Sequence, residues 1–247
     1  LGISTLGQGH ETVMAQICAD GLGVPMEYIA VYHGNTDLMP FGGGTFASRG
    51  TTLAGNAVYG AAQQLREKIL RISAGYLDVD PNEVEFSQGH VYRKGASSGE
   101  PALDLGQVLE LAGPVSKYNQ GEMGLESTYY FHSSQECYPC GAHAVYLAVD
   151  PETGQIEILK YAIVEDVGHV INPLLLTGQV VGAAAQGVGA TILEELVYDD
   201  EGQPLAGSFP SGSGAPGRAI VSVRLRNRDS SVSTLMVRSH RAEAPCF

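Results

Sequence analysis

The chain has 247 residues, enough for one large domain or two small ones with a substantial core. Hydrophobic residues at 44% and charged residues at 17% exclude the disordered class, and 27 acidic against 14 basic residues (net −13) set up a field that repels nucleic acid and anionic lipid. Glycine is in excess at 32 residues without the Gly-X-Y period of collagen, which points to many sites of positive φ or close backbone approach.

In chain order, Val13, Met14, Ile17 and Cys18 fall on one face of a helix predicted over 10–21, stopped by Gly21-Leu22-Gly23-Val24-Pro25. Residues 28–33 read as a strand, followed by a long loop over 34–50 that contains Gly42-Gly43-Gly44. Leu53, Ala57, Ala61, Leu65, Ile69 and Ile72 recur every three or four positions and predict a long amphipathic helix from 51 to about 72. Strands at 83–86 and 90–93 flank Ser87-Gln88-Gly89 as a hairpin, and Asp104 is placed to cap a helix to Leu111. A strand is predicted at 128–132, then a longer antiparallel pair, 142–149 and 155–164, turned by Asp150-Pro151-Glu152-Thr153-Gly154. A small-residue helix over about 175–196 is expected to lie buried against a close neighbour, so that bulk at Gly182 or Gly187 would disrupt packing.

Strands and helices without regular βαβ alternation predict an α+β fold with two mixed subdomains, 1–124 and 125–208, and an irregular C-terminal tail over 209–247. The charge divides the same way. Residues up to Ser208 hold eight basic and 25 acidic side chains, net −17, whereas the tail holds six Arg and two acids, net +4. That contrast suggests a disordered or out-of-frame extension, which sequencing of the encoding DNA would test. The chain starts Leu1-Gly2-Ile3 without Met and reads as an internal fragment, and no unbroken apolar run of roughly 18 residues is present for a membrane span. Four scattered cysteines fit a reducing cytoplasm, and Cys137-Tyr138-Pro139-Cys140 is a single CxxC with no second ligand pair, so no metal site is assigned.

Three glycine-linked polar segments could carry chemistry. Gly7-Gln8-Gly9-His10-Glu11-Thr12 opens a helix, whose free N–H groups and positive dipole end attract an anion; an ordinary capped turn is the alternative. Gly42 to Thr52 offers hydroxyls and a lone Arg49 but lacks the Gly-Lys-Ser/Thr of a P-loop and the Gly-x-Gly-x-x-Gly of a dinucleotide fold; it is either a phosphate-holding nest or a surface loop. Gly178-Gln179 sits on the small-residue helix, where a packed amide needs a hydrogen-bond partner in backbone or ligand. Glu165-Asp166 before His169 reads as a solvated turn, because neighbours on a strand point to opposite faces. No catalytic triad can be read from spacing, and no catalytic residue is assigned.

Taken in order, Gly7 to Thr12, Gly34-Asn35-Thr36-Asp37, Gly44 to Arg49, Gly141-Ala142-His143 through Gly168, Ile171-Asn172-Pro173, Gly178-Gln179 and Gln186 to Leu196 resemble one family. The chain is similar over residues 1–208 to the C-terminal molybdopterin-binding region of molybdenum hydroxylase large subunits, the xanthine dehydrogenase, aldehyde oxidase and aerobic carbon monoxide dehydrogenase family. The resemblance implies an oxidoreductase that hydroxylates aldehydes or N-heterocycles, or oxidises carbon monoxide, with water as oxygen source. It implies a molybdenum–molybdopterin cofactor, with the cytosine dinucleotide form as one option. Gly7, Gln8 and Gly9 would contact the pterin or its dithiolene neighbourhood, Ala47, Ser48 and Arg49 the pterin and phosphate side, and Gln179 the pterin heteroatoms. The 2Fe-2S clusters and FAD would reside on partner iron–sulfur and flavin subunits, in a cytoplasmic dimer of heterotrimers acting on a small molecule, with neither nucleic acid nor a membrane span involved.

One departure matters. The family carries its catalytic glutamate in a Gly-Glu pair beyond the equivalent of Glu195, and no Gly-Glu occurs in residues 210–247. Glu243 lacks that context and does not inherit the role. A catalytically inactive cofactor-binding or subunit-interaction fragment is therefore the alternative.

Overall fold

The computed structural model describes residues 1–39, 41–95, 99–119, 121–133, 138–195 and 197–204, together with the backbone of 220–227 and 232–240. The chain is α+β and folds as two units, Leu1–Cys137 and Tyr138–Phe247.

The first unit is built on two helices, α1 (His10–Leu22) and α2 (Asn56–Leu77). Small residues let them approach closely. A Cβ added to Gly21 would lie 3.1 Å from both Tyr59 and Ala62, one on Gly55 would lie 3.0 Å from Ile17, and one on Gly50 would meet the His10 ring. These contacts advance together along both chains, so the helices run in the same sense and their N-terminal ends lie side by side. At the far end Gly23 (φ 89°) closes α1 in the left-handed region, and the Gln63 amide and Arg66 guanidinium donate to the carbonyls of Gly21 and Leu22.

Against this pair lies a three-stranded antiparallel sheet of β1 (Val84–Ser87), β2 (His90–Arg93) and β3 (Leu103–Asp104), in that spatial order. Gln88 and Gly89 both have positive φ, 53° and 78°, as a two-residue type I′ hairpin requires. Asp104 caps α3 (Leu105–Leu111) through a reciprocal box with Gln107, at 2.8 and 2.9 Å. The main core is Phe86, Val84 and Val91 from the sheet with Ile69 and Ile72 of α2 and Val108 of α3. A smaller core of Ile3, Met14 and Ala54 sits beneath the N-terminal ends of the helices.

Two predicted strands do not form. Residues 26–28 make a single 3₁₀ turn and 29–33 are extended without ladder pairing; the N-terminal amine of Leu1 instead donates to the Tyr32 carbonyl at 2.8 Å. Residues 128–132 lie against α2 as an extended strap. There the Ser127 hydroxyl donates to Gln64 at 2.8 Å, and the Tyr129 ring covers Gly60 where a Cβ would come within 2.5 Å. β-type sequence went unpaired because side-chain packing on a helix took the place of a partner strand. Gly60→Ala is expected to eject Tyr129 and destabilise the first unit by about 1–3 kcal/mol; an unchanged urea midpoint would show that the strap adds nothing.

The second unit carries a hairpin of β4 (Cys140–Val149) and β5 (Ile156–Asp166), with a register shift between Tyr146 and Leu147. Asp150 organises its turn, accepting from the Glu152 N–H at 2.8 Å while Gly154 adopts φ 72°. β6 (Ile220–Asn227) and β7 (Val232–His240) extend the sheet in the order β4-β5-β7-β6. The helix α4 (Pro173–Ile192) starts with an Asn172 cap and Pro173, and Val180, Val181 and Ala184 pack on Tyr161 and Ile163.

The expectation that α4 is enclosed is not met among the described residues. Only Ala184 of the helix is buried, and a Cβ added to Gly178, Gly182 or Gly187 would meet nothing within 4 Å. Bulk at those positions would therefore clash with no described residue. By length and composition α4, with mean hydropathy 1.2, is long and apolar enough to cross a membrane, although Thr177, Gln179 and Gln186 interrupt its apolar run.

Candidate functional site

At the end of the first unit where α1 and α2 begin, two loops meet. Gly7 (φ 103°) and Gly9 (φ 75°) turn the chain into α1, and between them Gln8 braces the turn. Its Oε1 accepts from the Thr5 hydroxyl at 3.2 Å and from the Leu6 N–H, and its Nε2 donates to Thr45 Oγ1 at 3.3 Å. One side chain thus ties the first predicted segment to the second. The Gly43 N–H adds a bond to the Gly2 carbonyl at 3.2 Å.

The second loop has an unusual backbone. Ala47 and Ser48 both stand in the left-handed region, at φ 56° and 54°, and Arg49 returns to φ −84°, ψ −16°. Non-glycine residues pay of order 1 kcal/mol each for such conformations, which concentrate at functional sites. A reversal of hand such as that between Ser48 and Arg49 is the backbone pattern of an anion-binding nest, here with the Arg49 N–H donated to the Phe46 carbonyl at 3.5 Å. A π-helical turn, Gly50–Gly55, then leads into α2 in place of the regular helix start expected from periodicity. The Arg49 guanidinium lies over the Phe46 ring at 4.7 Å and against Gly43, where a Cβ would be 2.7 Å away.

His10 was not singled out from sequence, and its signal was its place as the first residue of a helix after glycine. Burial holds its imidazole below the usual pKa, against the opposing pull of Glu11, and His33 lowers it further. Two buried nitrogens here, His10 Nδ1 and Arg49 Nε, have no hydrogen-bond partner among the described residues. The Glu11 carboxylate accepts from the His33 ring at 2.8 Å, and that bond is the largest cause holding the Glu11 carboxyl below the usual glutamate range. Because the folded value is lowered, the contribution to stability is present above the ordinary carboxylate range and is lost as pH falls through the lowered value. His33→Ala is expected to return the Glu11 titration toward its ordinary position, read by carboxyl NMR; an unmoved titration would remove His33 as the cause.

Gln179 belongs to the second unit. It is exposed on α4, three residues before Gly182, so the expected packed amide is instead open to a ligand or a further partner. Glu165 and Asp166 end β5 as neighbours with separate roles: Asp166 accepts from the Gly168 N–H at 3.1 Å, and Glu165 faces His143. Cys137 lies outside the described residues, and Cys140 is an exposed free thiol.

A sequence profile of the molybdopterin cofactor-binding domain matches residues 1–211. The chain belongs to that family. Among relatives of this molybdopterin-binding domain, the gamma subunit of the 6-hydroxypseudooxynicotine dehydrogenase complex of Paenarthrobacter nicotinovorans is 37% identical over 209 residues, covering 84% of this chain and 26% of the relative. The carbon monoxide dehydrogenase large chain of Afipia carboxidovorans is 34% identical over 209 residues, 85% of this chain and 26% of that one. A crystal structure of the Cu,Mo-CO dehydrogenase superposes with a TM-score of 0.74 at 32% identity, covering 84% of this chain and 26% of the other. This molybdopterin-binding domain thus spans about a quarter of the length of those relatives.

The first unit fits an anionic, heteroatom-rich cofactor. Two side-by-side helical N-termini add their dipoles at one place, and two buried nitrogens, His10 Nδ1 and Arg49 Nε, have no hydrogen-bond partner among the described residues. Such a site holds negative charge without clustered cations, in agreement with an acidic chain.

Proposed function

We infer that this domain holds the molybdenum–molybdopterin cofactor of an oxidoreductase that hydroxylates aldehydes or N-heterocycles, or oxidises carbon monoxide, with water as oxygen source. The observation that carries the reading is the Gln8–Thr45 bond, which joins the turn before α1 to the strained Ala47–Ser48 loop where both helices begin. Gly7, Gln8 and Gly9 would hold the pterin side, Gly7 and Gly9 by admitting close backbone approach and Gln8 by keeping the two loops in register. Ala47, Ser48 and Arg49 would hold phosphate through backbone N–H groups, the Ser48 hydroxyl and the guanidinium, which also suits a cytosine dinucleotide extension. Gln179, exposed on α4, would supply an amide to pterin heteroatoms. When bound, the cofactor supplies the two-electron redox centre; the residues of this chain bind and orient it.

Relatives described as a complex subunit and as a large chain support a multi-subunit setting; in this reading, partner subunits carry the 2Fe-2S clusters and FAD, in a cytoplasmic dimer of heterotrimers. The nicotine-related name of one relative and the carbon monoxide name of another support both small-molecule classes without choosing between them. A second reading, a catalytically inactive cofactor-binding or interaction module, is favoured by one observation, the lack of Gly-Glu in residues 210–247. Assay of the intact gene product with an aldehyde, an N-heterocycle and carbon monoxide, using an artificial electron acceptor, tests the first reading. Turnover of one class supports it; cofactor-loaded protein inert to all three supports the second.

A further inference from the structure

On the face of the β4–β5 hairpin that carries Ile163, which packs with Ala184 of α4, three polar side chains form a chain of hydrogen bonds. His143 Nδ1 lies 2.9 Å from the Tyr161 hydroxyl and His143 Nε2 lies 3.3 Å from Glu165 Oε1. The register explains the meeting. His143 pairs with Ile163, so Tyr161 and Glu165, two residues to either side, project on the same face. Gly141 makes the arrangement possible, because a Cβ there would stand 2.8 Å from the Glu165 carboxylate. The Tyr161 and His143 rings meet edge to face at 5.7 Å.

The roles are set by proton count. The carboxylate can only accept, so Nε2 of a neutral His143 carries the hydrogen, and Nδ1 is left as an acceptor that takes the Tyr161 hydroxyl hydrogen. When one proton from solvent is added to Nδ1, both ring nitrogens donate, and the Tyr161 oxygen must accept. Its hydrogen is then free to turn outward. We propose that Glu165, His143 and Tyr161 form a proton-coupled switch in which the charge on His143 decides whether the Tyr161 hydroxyl offers a ligand an acceptor or a donor. No covalent bond changes; one solvent proton is taken up and one O–H rotates.

The switch is electrically simple. Among the described residues, those flanking the three on this face are Gly141 and Val145 on β4 and Ile163 on β5, with Val180, Val181 and Ala184 of α4 packed at Ile163, none of them ionisable. On β7 the residues in register with Glu165, Ile163 and Tyr161 are Ser233, Leu235 and Val237, again none ionisable. Glu165 is thus the one carboxylate facing His143 among these positions. Tyr161 packs against the Ile163–Ala184 cluster, as do Val180 and Val181, which follow Gln179 along α4.

The test is NMR of the full chain labelled at the histidine ring nitrogens and the tyrosine Cζ, with His143 and Tyr161 signals identified by their loss in His143→Gln and Tyr161→Phe. In spectra recorded over a series of pH values, the neutral ring is expected to carry its hydrogen on Nε2. The Tyr161 Cζ signal is expected to move together with the charging of His143. Glu165→Gln is expected to lower the excess of the Nε2–H form about tenfold, the value of one charge-assisted hydrogen bond. A neutral ring protonated on Nδ1, a Tyr161 signal that stays still while His143 charges, or a tautomer ratio unaltered by Glu165→Gln would each overturn the proposal.

Discussion

Phe86→Ala is expected to destabilise the first unit by about 3–5 kcal/mol. The ring is fully enclosed and sits where β1 meets α2, sharing its surroundings with Ile69, Ile72, Val91 and Val108. Its removal costs the transfer energy of a whole aromatic side chain plus a cavity that a β-strand on one side and a long helix on the other can collapse only in part. A domain stable by about 5–15 kcal/mol loses a large share of that margin. Urea unfolding followed by circular dichroism reads the effect, with Val145→Ala as a control, since Val145 is exposed on β4 and should change stability by no more than about 0.5 kcal/mol. A Phe86→Ala loss of under about 1 kcal/mol would mean that the core is centred elsewhere.

Gln8→Ala should do the opposite, sparing the fold while lowering cofactor retention about tenfold or more. Gln8 is only half-buried and its partners are Thr5, Leu6 and Thr45, all in loops, so neither core loses a contact. What it loses is the tie between the turn before α1 and the 42–49 loop. Without that tie both loops must be ordered by the ligand itself, and the ordering cost is subtracted from binding. Three lost hydrogen bonds at about 0.5–1.5 kcal/mol each amount to at least about 1.5 kcal/mol, and a tenfold effect needs about 1.4 kcal/mol. Thr45→Val, which removes one of the three, should fall between wild type and Gln8→Ala. Equal retention by all three proteins would separate the brace from binding.

Local chemistry made much of the fold legible. Gly23, Gln88-Gly89, the Asp104–Gln107 box and the Asp150–Gly154 turn each act through their own backbone, so their sequence signatures translate directly into structure. The misses depended on partners. Residues 28–33 and 128–132 have strand-type composition, but whether such a segment pairs or packs is decided by what lies beside it. The small residues of α4 signal close packing without naming the neighbour, and within this chain most of them face outward. At the site, the glycine segments were visible, whereas the left-handed Ala47 and Ser48 and the π-helical turn were not. Those conformations are imposed by the surrounding loops and not by the preferences of Ala or Ser. His143 and Glu165 were in view and Tyr161 only as part of a predicted strand, and only the register of β4 against β5 brings the three together.

The central claim is that the loops at the start of α1 and α2 hold the molybdenum–molybdopterin cofactor. It is tested most directly by measuring molybdenum and pterin in the intact gene product and in its Gln8→Ala variant, purified from a host that makes the cofactor. The account predicts both components together in the wild-type protein and about a tenfold loss of both in a variant that still unfolds in one cooperative transition and is fully folded at the assay temperature. A wild-type protein lacking both, or a folded Gln8→Ala variant with undiminished content, would contradict it.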